Sequence, residues 1–409
     1  MKAPSRACAS VKSLRTVGPA EPLPSQRALF DIPEGVCYLN CAYMSPLPRR
    51  SLDAGREGLL KKGRPWQITP DDFFTTANAV RLAAAQLFGG SAQHISLTPS
   101  ASYGIAVAAR NLTIRSGQRI ILLADQYPSN VYAWRTAARE NGAEICTIAR
   151  PKDGNWTPHI IRQIDERTAL AALPQCHWTD GSIIELAKVR DALDAVGAAL
   201  VLDLTQSLGA MTFDLDRVRP DFAVAAAYKW LLGPYSTGIL YSDIKYHSGV
   251  PIEEHAYPRR DAVDFAKLVN YRDDFEPGAR RFDVGEMANF ALLPALLSSL
   301  QQVNAWGVGA IEASLRKITD KVAQRAQAMG LQVLHPDYRA PHFLGIRFER
   351  AIPDDLLGAL NRQNVFVSVR GDSLRVTPHL FNDESDIAQF FEALLPFTDQ
   401  RQPPIVVQP

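Results

Sequence analysis

The sequence predicts an α/β protein in which a mostly parallel, helix-covered sheet is followed by a smaller α+β lobe. Three observations carry this expectation. Between residues 94 and 241, short apolar runs alternate with longer segments of helical period. That alternation is the pattern of parallel strands buried on both faces. Near Leu300 it gives way to a long helical stretch followed by short, closely spaced strands. The length, 409 residues, supplies two to three lobes at roughly 100–200 residues each.

The elements follow in order. The first twenty residues carry Lys2, Arg6, Lys12 and Arg15, with no acid before Glu21. They read as a disordered extension or an upstream start codon, with less weight on an organellar transit peptide, which is basic and poor in acids. Buried strands are expected at His94–Thr98, Arg119–Ala124, Glu144–Ile148, Thr168–Leu173, Ala199–Asp203, Phe222–Ala226 and Gly238–Tyr241. Helices are expected at Ser102–Asn111, Ser129–Asn141, Thr157–Glu166 and Ile183–Val196. In the last of these, Ile184, Ala187, Leu193 and Val196 share an apolar face. The second lobe reads as a helix at Ala310–Met329, strands at Leu331–Leu334 and His342–Phe348, and a helix at Pro353–Gln363. Strands at Val365–Val369 and Ser373–Val376 and a helix at Glu384–Leu395 complete it. The tail Arg401–Pro409 holds three prolines and reads as loose.

Composition removes several function classes. Hydrophobic residues at 46% and charged residues at 21% match a globular chain and exclude a wholly disordered or fibrous one. A formal charge of +1, from 44 Lys+Arg against 43 Asp+Glu, argues against a dedicated nucleic-acid binder. No apolar run approaches the ~18 residues of a membrane span; the richest, Phe290–Leu300, contains Pro294. The five cysteines, Cys8, Cys37, Cys41, Cys146 and Cys176, form no CxxC pair. They point to a reducing, cytoplasmic setting. The eight histidines show no metal-ligand spacing, so no metal is expected. Asn111-Leu112-Thr113 and Asn155-Trp156-Thr157 match the glycosylation triplet by chance, since no secretory signal precedes them.

In a doubly covered parallel sheet, ligands sit beyond the carboxyl ends of the strands. The run Ala199–Asp203 ends in an acid, with Gln206 three residues on. An acid there is also an ordinary turn former. After the strand Phe222–Ala226 comes a lone Lys229 between Tyr228 and Trp230. Aromatic neighbours strip water from an ammonium and favour its neutral form, and such an amine can form a Schiff base. Spacing alone leaves both readings of the pair open.

Seven fragments in order carry a resemblance. They are Tyr38–Ala42, the Thr98–Ser102 turn, Tyr127–Asn130, Asp203 with Gln206, Tyr228-Lys229, Arg281–Gly285, and Arg370 with Arg375. Together, from about Val36 to Ala393, the chain resembles the class V aminotransferase-fold, pyridoxal-phosphate enzymes. These include class V aminotransferases, cysteine desulfurases, selenocysteine lyases, kynureninases and isopenicillin-N-epimerase-like proteins. The likeness is greatest to the broad class V aminotransferase group. It implies fold type I of the pyridoxal-phosphate-dependent transferases, with a mostly parallel seven-stranded sheet in the large domain. Residues 41–300 would form that domain, and residues 29–40 and 301–397 the small α+β domain. Residues 1–28 would be a disordered or targeting-like extension and 398–409 a loose tail.

The resemblance also implies roles. Lys229 would hold pyridoxal 5'-phosphate as a Schiff base and then serve as base for the substrate α-proton. Asp203 would face the pyridine nitrogen and keep it protonated, which makes the ring a better electron sink. Gln206 would reach the cofactor's ring oxygen or lie near the lysine. Tyr127 would stack on the ring, a contact of about 1 kcal/mol. Ala101 and Ser102 would offer a helix N-terminus to the phosphate, and Tyr228 would reach the same group. Ser100 and Ser102 are equally ordinary helix caps. Arg375 would clamp the substrate carboxylate through paired hydrogen bonds, with Arg370 a weaker candidate. A surface arginine on an edge strand is the plain alternative for Arg375. His177 and Trp178 match a segment on the substrate side, although a core tryptophan reads equally well. A homodimer with the active site near the subunit interface is implied. Desulfurases carry Thr where Glu286 stands, and a carboxylate does not suit the phosphate contact which that Thr makes across the dimer.

No cysteine follows Cys176, which argues against persulfide-forming desulfurase chemistry. The leading expectation is α-proton abstraction from an amino acid, with transamination as the nominal reaction. The alternatives are a C–S or kynureninase-like lyase, and an inactive fold relative serving as a binding protein. The Gly233–Gly238 stretch departs from the kynureninase pattern, and retention of Lys229, Asp203 and Arg375 argues against the inactive relative. For the substrate side chain, Trp178, Tyr235 and Tyr271 suit an apolar group, and Arg272, Arg280 and Arg281 an acidic one.

Overall fold

A computed structural model describes residues 20–398. The basic leader through residue 19 and the tail from residue 399 lie outside the described residues. A short strand, β1 (Cys37–Tyr38), precedes helices α1 (Arg49–Lys62) and α2 (Thr75–Phe88). Strands and helices then alternate: β2 (Ile95–Thr98), α3 (Ala101–Asn111), β3 (Arg119–Leu123), α4 (Tyr132–Asn141), β4 (Glu144–Ile148) and α5 (Trp156–Gln163). Next come β5 (Thr168–Pro174), α6 (Leu186–Val196), β6 (Ala199–Asp203), the one-turn α7 (Leu215–Val218), β7 (Phe222–Ala226) and β8 (Gly238–Ser242). After an irregular stretch, α8 (Leu292–Trp306) and α9 (Val308–Ala328) lead to β9 (Gln332–Val333) and β10 (Leu344–Arg347). The chain closes with α10 (Leu356–Arg362), β11 (Val365–Phe366), β12 (Ser368–Arg370), β13 (Ser373–Val376) and α11 (Glu384–Leu394).

The central sheet has seven strands in the order β2-β8-β7-β6-β5-β3-β4. β8 alone runs antiparallel to its neighbours. The inner strands β6 and β7 are almost wholly buried, as their continuous apolar runs require when helices cover both faces. All seven expected strands are present, each within one residue at either end. Helix α3 lies hard against β7. A Cβ on Gly104 would meet Val224 Cγ2 at 2.6 Å, so only glycine allows this approach, and it sets where the helix begins. The Asp283 carboxylate is buried in an ion pair with Arg81. It also accepts the Leu97 N–H at 2.7 Å, which pins the loop to β2.

The smaller lobe has a four-stranded sheet in the order β12-β13-β10-β9. β1 pairs in parallel with β11 and ties the N-terminal segment to this lobe. The single strand expected at Val365–Val369 is two strands, in different sheets, separated at Val367. Helices α1 and α2 were not expected from the sequence. Residues 20–28, expected within a disordered extension, lie on the body: the Leu23 N–H donates to Ser314 Oγ at 2.8 Å and the Gln26 N–H to the Leu380 carbonyl at 2.7 Å. Among the described residues no helix is long and apolar enough to cross a membrane.

Candidate active site

Pro174, Asp203 and Ala226 end β5, β6 and β7 on one edge of the sheet. A cavity of about 220 Å³ opens there. The residues after those strands line it: Thr205 and Gln206, then Tyr228 and Lys229. Ser100–Ser102 at the start of α3, Tyr127, Trp178 and the loop Tyr235–Thr237 complete the wall. A second cavity, of about 250 Å³, shares Tyr127, Trp178, Tyr228, Lys229 and Tyr235 and adds Tyr43, Arg370 and Arg375. Lys229 therefore stands where the two meet.

Only 4% of Lys229 is exposed. Its Nζ lies 5.3 Å from the Tyr127 ring centre and 5.5 Å from that of Tyr228. Burial pushes the ammonium down to about 7; the Asp203 carboxylate opposes this, while Arg375 and Arg370 add to it. The Asp203 carboxyl is pushed up by its own burial, against the Thr205 hydroxyl and amide and the charge on Lys229. The Thr205 N–H donates to Asp203 Oδ1 at 3.0 Å. The loop after Lys229 holds Leu232 at φ 55° and Ser236 at φ 64°. For residues with a Cβ this left-handed backbone costs roughly 1–2 kcal/mol each, a strain that clusters at functional sites.

At the start of α3 the Ser100 hydroxyl accepts the Tyr103 N–H at 3.2 Å and meets the Ser102 hydroxyl at 2.9 Å. The amides of Ala101 and Ser102 sit in the first turn, where the helix offers them no acceptor and its dipole favours an anion. Trp178 is fixed by its indole N–H, which donates to the Asp125 carbonyl at 2.6 Å, and lies edge-on to Tyr127 at 5.3 Å. Arg375 reaches the site from β13. Its Nε and Nη2 donate to Ser368 Oγ at 3.0 and 2.7 Å, and its Nη1 to the Trp178 carbonyl at 3.0 Å. Burial pushes its guanidinium down to about 9, with Arg370 adding to the effect.

The structure thus brings Ala101, Ser102, Tyr127, Trp178, Asp203, Gln206, Tyr228 and Lys229 around one cavity, with Arg375 on the adjoining one. His177, expected to bind substrate, is a correction: it lines neither cavity. Its ring is enclosed and stacks on Trp156 at 5.2 Å. Burial pushes the imidazole down to about 4, so it is neutral. Nε2–H donates to the Ala124 carbonyl at 3.1 Å, and Nδ1 is left to face the Thr179 hydroxyl at 2.8 Å. His177 positions the turn that carries Trp178. Gln206 spends one N–H on the Ala42 carbonyl, and its Oε1 accepts the Trp230 indole N–H, leaving one amide N–H for a ligand.

Tyr271 and Arg272 line a different cavity, and Arg280 another. Arg281 donates to the Gly249 carbonyl, so none of these four reaches the site. Glu286 is exposed and lines a separate hollow with Lys62 and Tyr257. Thr205, Ser236, Thr237, Tyr43 and Ser368 were missed by sequence reasoning. For Ser368 a signal existed: Gly371-Asp372 is a two-residue link between strands, which sets Ser368 opposite Arg375.

These residues fit pyridoxal 5'-phosphate. A buried amine near neutrality, a buried acid at a strand end, a tyrosine face and two unpaired first-turn amides border one cavity. That donor set answers an aldehyde, a ring nitrogen, an aromatic face and a phosphate in turn.

Comparison with known proteins agrees. The family model described as aminotransferase class-V matches residues 67–381. An uncharacterized aminotransferase of Bacillus subtilis is 24% identical over 377 residues, covering 90% of this chain and 96% of that protein. The kynureninase of Deinococcus radiodurans is 28% identical over 320 residues, covering 73% of each chain. Among solved structures, the cystine C-S lyase C-DES in complex with cysteine persulfide superposes with a TM-score of 0.78 at 17% identity, covering 90% of this chain and 98% of that one. An apo cysteine desulfurase from Thermococcus onnurineus gives 0.77 at 17% identity, covering 92% and 99%. With the family model spanning most of the sequence and the fold shared over about nine tenths of the chain, the chain belongs to the class-V aminotransferase family, enzymes that use pyridoxal phosphate to act on amino acids.

Proposed function

We propose that the chain is an aminotransferase in which Lys229 moves the α-proton of an amino acid. The observation that carries this reading is the Lys229 amine, buried, held near neutrality and set between Asp203 and the two arginines. When bound, pyridoxal phosphate supplies an aldehyde for amines and a ring that takes up the electron pair from the substrate α-carbon. Asp203 would hold a proton on the ring nitrogen. The Ala101 and Ser102 amides, with the Tyr228 hydroxyl, would hold the phosphate. Tyr127 would provide a face for the ring, and Gln206 would offer its remaining N–H.

Arg375 holds the substrate carboxylate. Three of its five N–H bonds are taken by Ser368 and Trp178, so one on each Nη remains for a carboxylate. A neutral amine with a pKa near the working pH can both accept a proton and return it, and transamination needs both steps from Lys229. Cys176 borders the first cavity, but burial pushes its thiol well above the usual range. It stays protonated, which disfavours a thiolate-based desulfurase reaction. Exposed apolar side chains such as Leu60, Trp66 and Val269 support assembly as a homodimer, and the unpaired thiols support a cytoplasmic setting.

The test begins with the visible spectrum of purified protein and its Lys229→Ala variant. The band of lysine-bound cofactor is expected in the first and absent in the second, with the far-UV circular dichroism unchanged. A band that survives in Lys229→Ala removes the lysine from its role. Addition of L-amino acids then separates the reactions: release of one oxo acid supports transamination, and release of sulfide, alanine or another fragment supports a lyase.

A further inference from the structure

We propose that the substrate carries a second carboxylate at the end of its side chain and that Arg370 receives it. The hairpin β12–β13 sets this up. Side chains alternate along a strand, so Ser368 and Arg370 share a face of β12, and Arg375 lies opposite Ser368 on the same face. Both guanidiniums border the cavity that Lys229 enters. Each lies 5.9 Å from the centre of the Trp178 indole, a cation–π distance. No acid lines this cavity, and no carboxylate of the described residues pairs with either arginine. The nearest acid in sequence, Asp372, turns instead to Arg347 at 3.2 Å. Arg370 makes one hydrogen bond, Nη1 to the Val369 carbonyl at 2.7 Å.

Two guanidiniums therefore converge on a cavity that no carboxylate lines. The α-carboxylate on Arg375 neutralises one of them. Arg370 remains, its planar fork suited to a second carboxylate held through paired hydrogen bonds. A neutral side chain of equal size would leave that guanidinium without a carboxylate partner, and sites built for a polar group reject the analogue that lacks it far more strongly than they reject a missing methylene. Dicarboxylic amino acids fit; amides of the same shape do not.

This inference rests on the amino-acid reading of the site, so its test includes a measurement that needs no turnover. In the holoenzyme, kcat/KM for glutamate and aspartate should exceed that for glutamine, asparagine and phenylalanine by roughly 100-fold. Arg370→Gln should shrink the acid-to-amide ratio by about 10- to 100-fold, chiefly through KM, and Arg370→Lys by less. Separately, inert glutarate should raise the melting temperature more than butyrate does, and Arg370→Gln should abolish the difference. Preference for glutamine or phenylalanine in the wild type would overturn the proposal. So would an Arg370→Gln loss equal for all substrates, which would place Arg370 on the α-carboxylate. If no amino acid reacts but glutarate still binds through Arg370, the reaction assigned to the site fails and the anion specificity stands.

Discussion

Lys229 should titrate near pH 7 in the cofactor-free protein, against 10.5 for an ordinary lysine. The direction follows from its surroundings. Burial disfavours the charged amine, the Asp203 carboxylate partly restores it, and Arg375 and Arg370 disfavour it further. Below about pH 7 the amine is protonated and unreactive, and above it the amine is a neutral nucleophile. At pH 7.5 about three quarters of it is neutral, where an ordinary lysine is neutral in about one part in a thousand. Acylation of Lys229 at pH 7.5 should therefore run faster than that of an equally accessible surface lysine, by less than the ratio of neutral fractions because a less basic amine is also a weaker nucleophile. Competitive labelling with acetic anhydride, read peptide by peptide by mass spectrometry across pH, measures this directly. Asp203→Asn removes the one charge that favours the ammonium, so its midpoint should fall below the wild-type value. A wild-type midpoint near 10, or an Asp203→Asn midpoint that rises, would refute the electrostatic account of the site.

Three further outcomes are expected. Arg81→Leu leaves Asp283 buried without its partner and should cost about 3–5 kcal/mol in denaturant unfolding, whereas Arg81→Met with Asp283→Leu should recover much of that loss. Gly104→Ala places a methyl 2.6 Å from Val224 Cγ2; it should cost about 1–3 kcal/mol and weaken retention of pyridoxal phosphate by displacing the start of α3. Ser368→Ala removes the acceptor of two Arg375 hydrogen bonds. It should raise KM for every amino acid by about tenfold while leaving the visible absorbance in place, a split that steady-state kinetics and spectra resolve.

The central sheet was legible because parallel strands buried on both faces cannot hide: Ala199–Asp203 and Phe222–Ala226 are apolar throughout and break only at their ends. Helix α1 was not legible, for the opposite reason. It packs on the segment leading into α8 through Gly55 and Gly58, where a Cβ on Gly58 would strike the Phe290 carbonyl. Its contact face carries glycine and the small Ser51, whose hydroxyl meets Ser298 and Ser299 of α8, while Leu59 and Leu60 point to solvent. Hydrophobic periodicity reads side chains and finds nothing at such an interface. Helix α2 fails differently: Ala83, Ala85 and Leu87 are buried on either side of the stripe formed by Ala77, Val80, Arg81, Ala84 and Phe88, so the buried face is wider than one clean stripe. At the site, residue type and strand ends pointed to Asp203 and Lys229. Direction within a turn did not follow from sequence. His177 and Trp178 are adjacent, yet only Trp178 enters the cavity, because the His177 ring is drawn to Trp156 and the Ala124 carbonyl.

The charges around Lys229 also tie binding to basicity. Arg375 and Arg370 both hold its pKa down, and both are the groups assigned here to carboxylates. A dianion seated on them cancels that repulsion, so the lysine should become more basic as the substrate arrives. The amine is thus held neutral while the site is empty and becomes a stronger proton acceptor once the α-proton is at hand. The effect can be isolated without cofactor or turnover. In the acetic anhydride experiment, saturating glutarate should move the Lys229 midpoint upward, and butyrate, with one carboxylate, should move it less. In Arg370→Gln the two ligands should give equal shifts from a starting midpoint already above the wild-type value. Shifts of equal size in the wild type would mean that the second guanidinium does not face the lysine through the same cavity, and the coupling between specificity and proton transfer would fall with it.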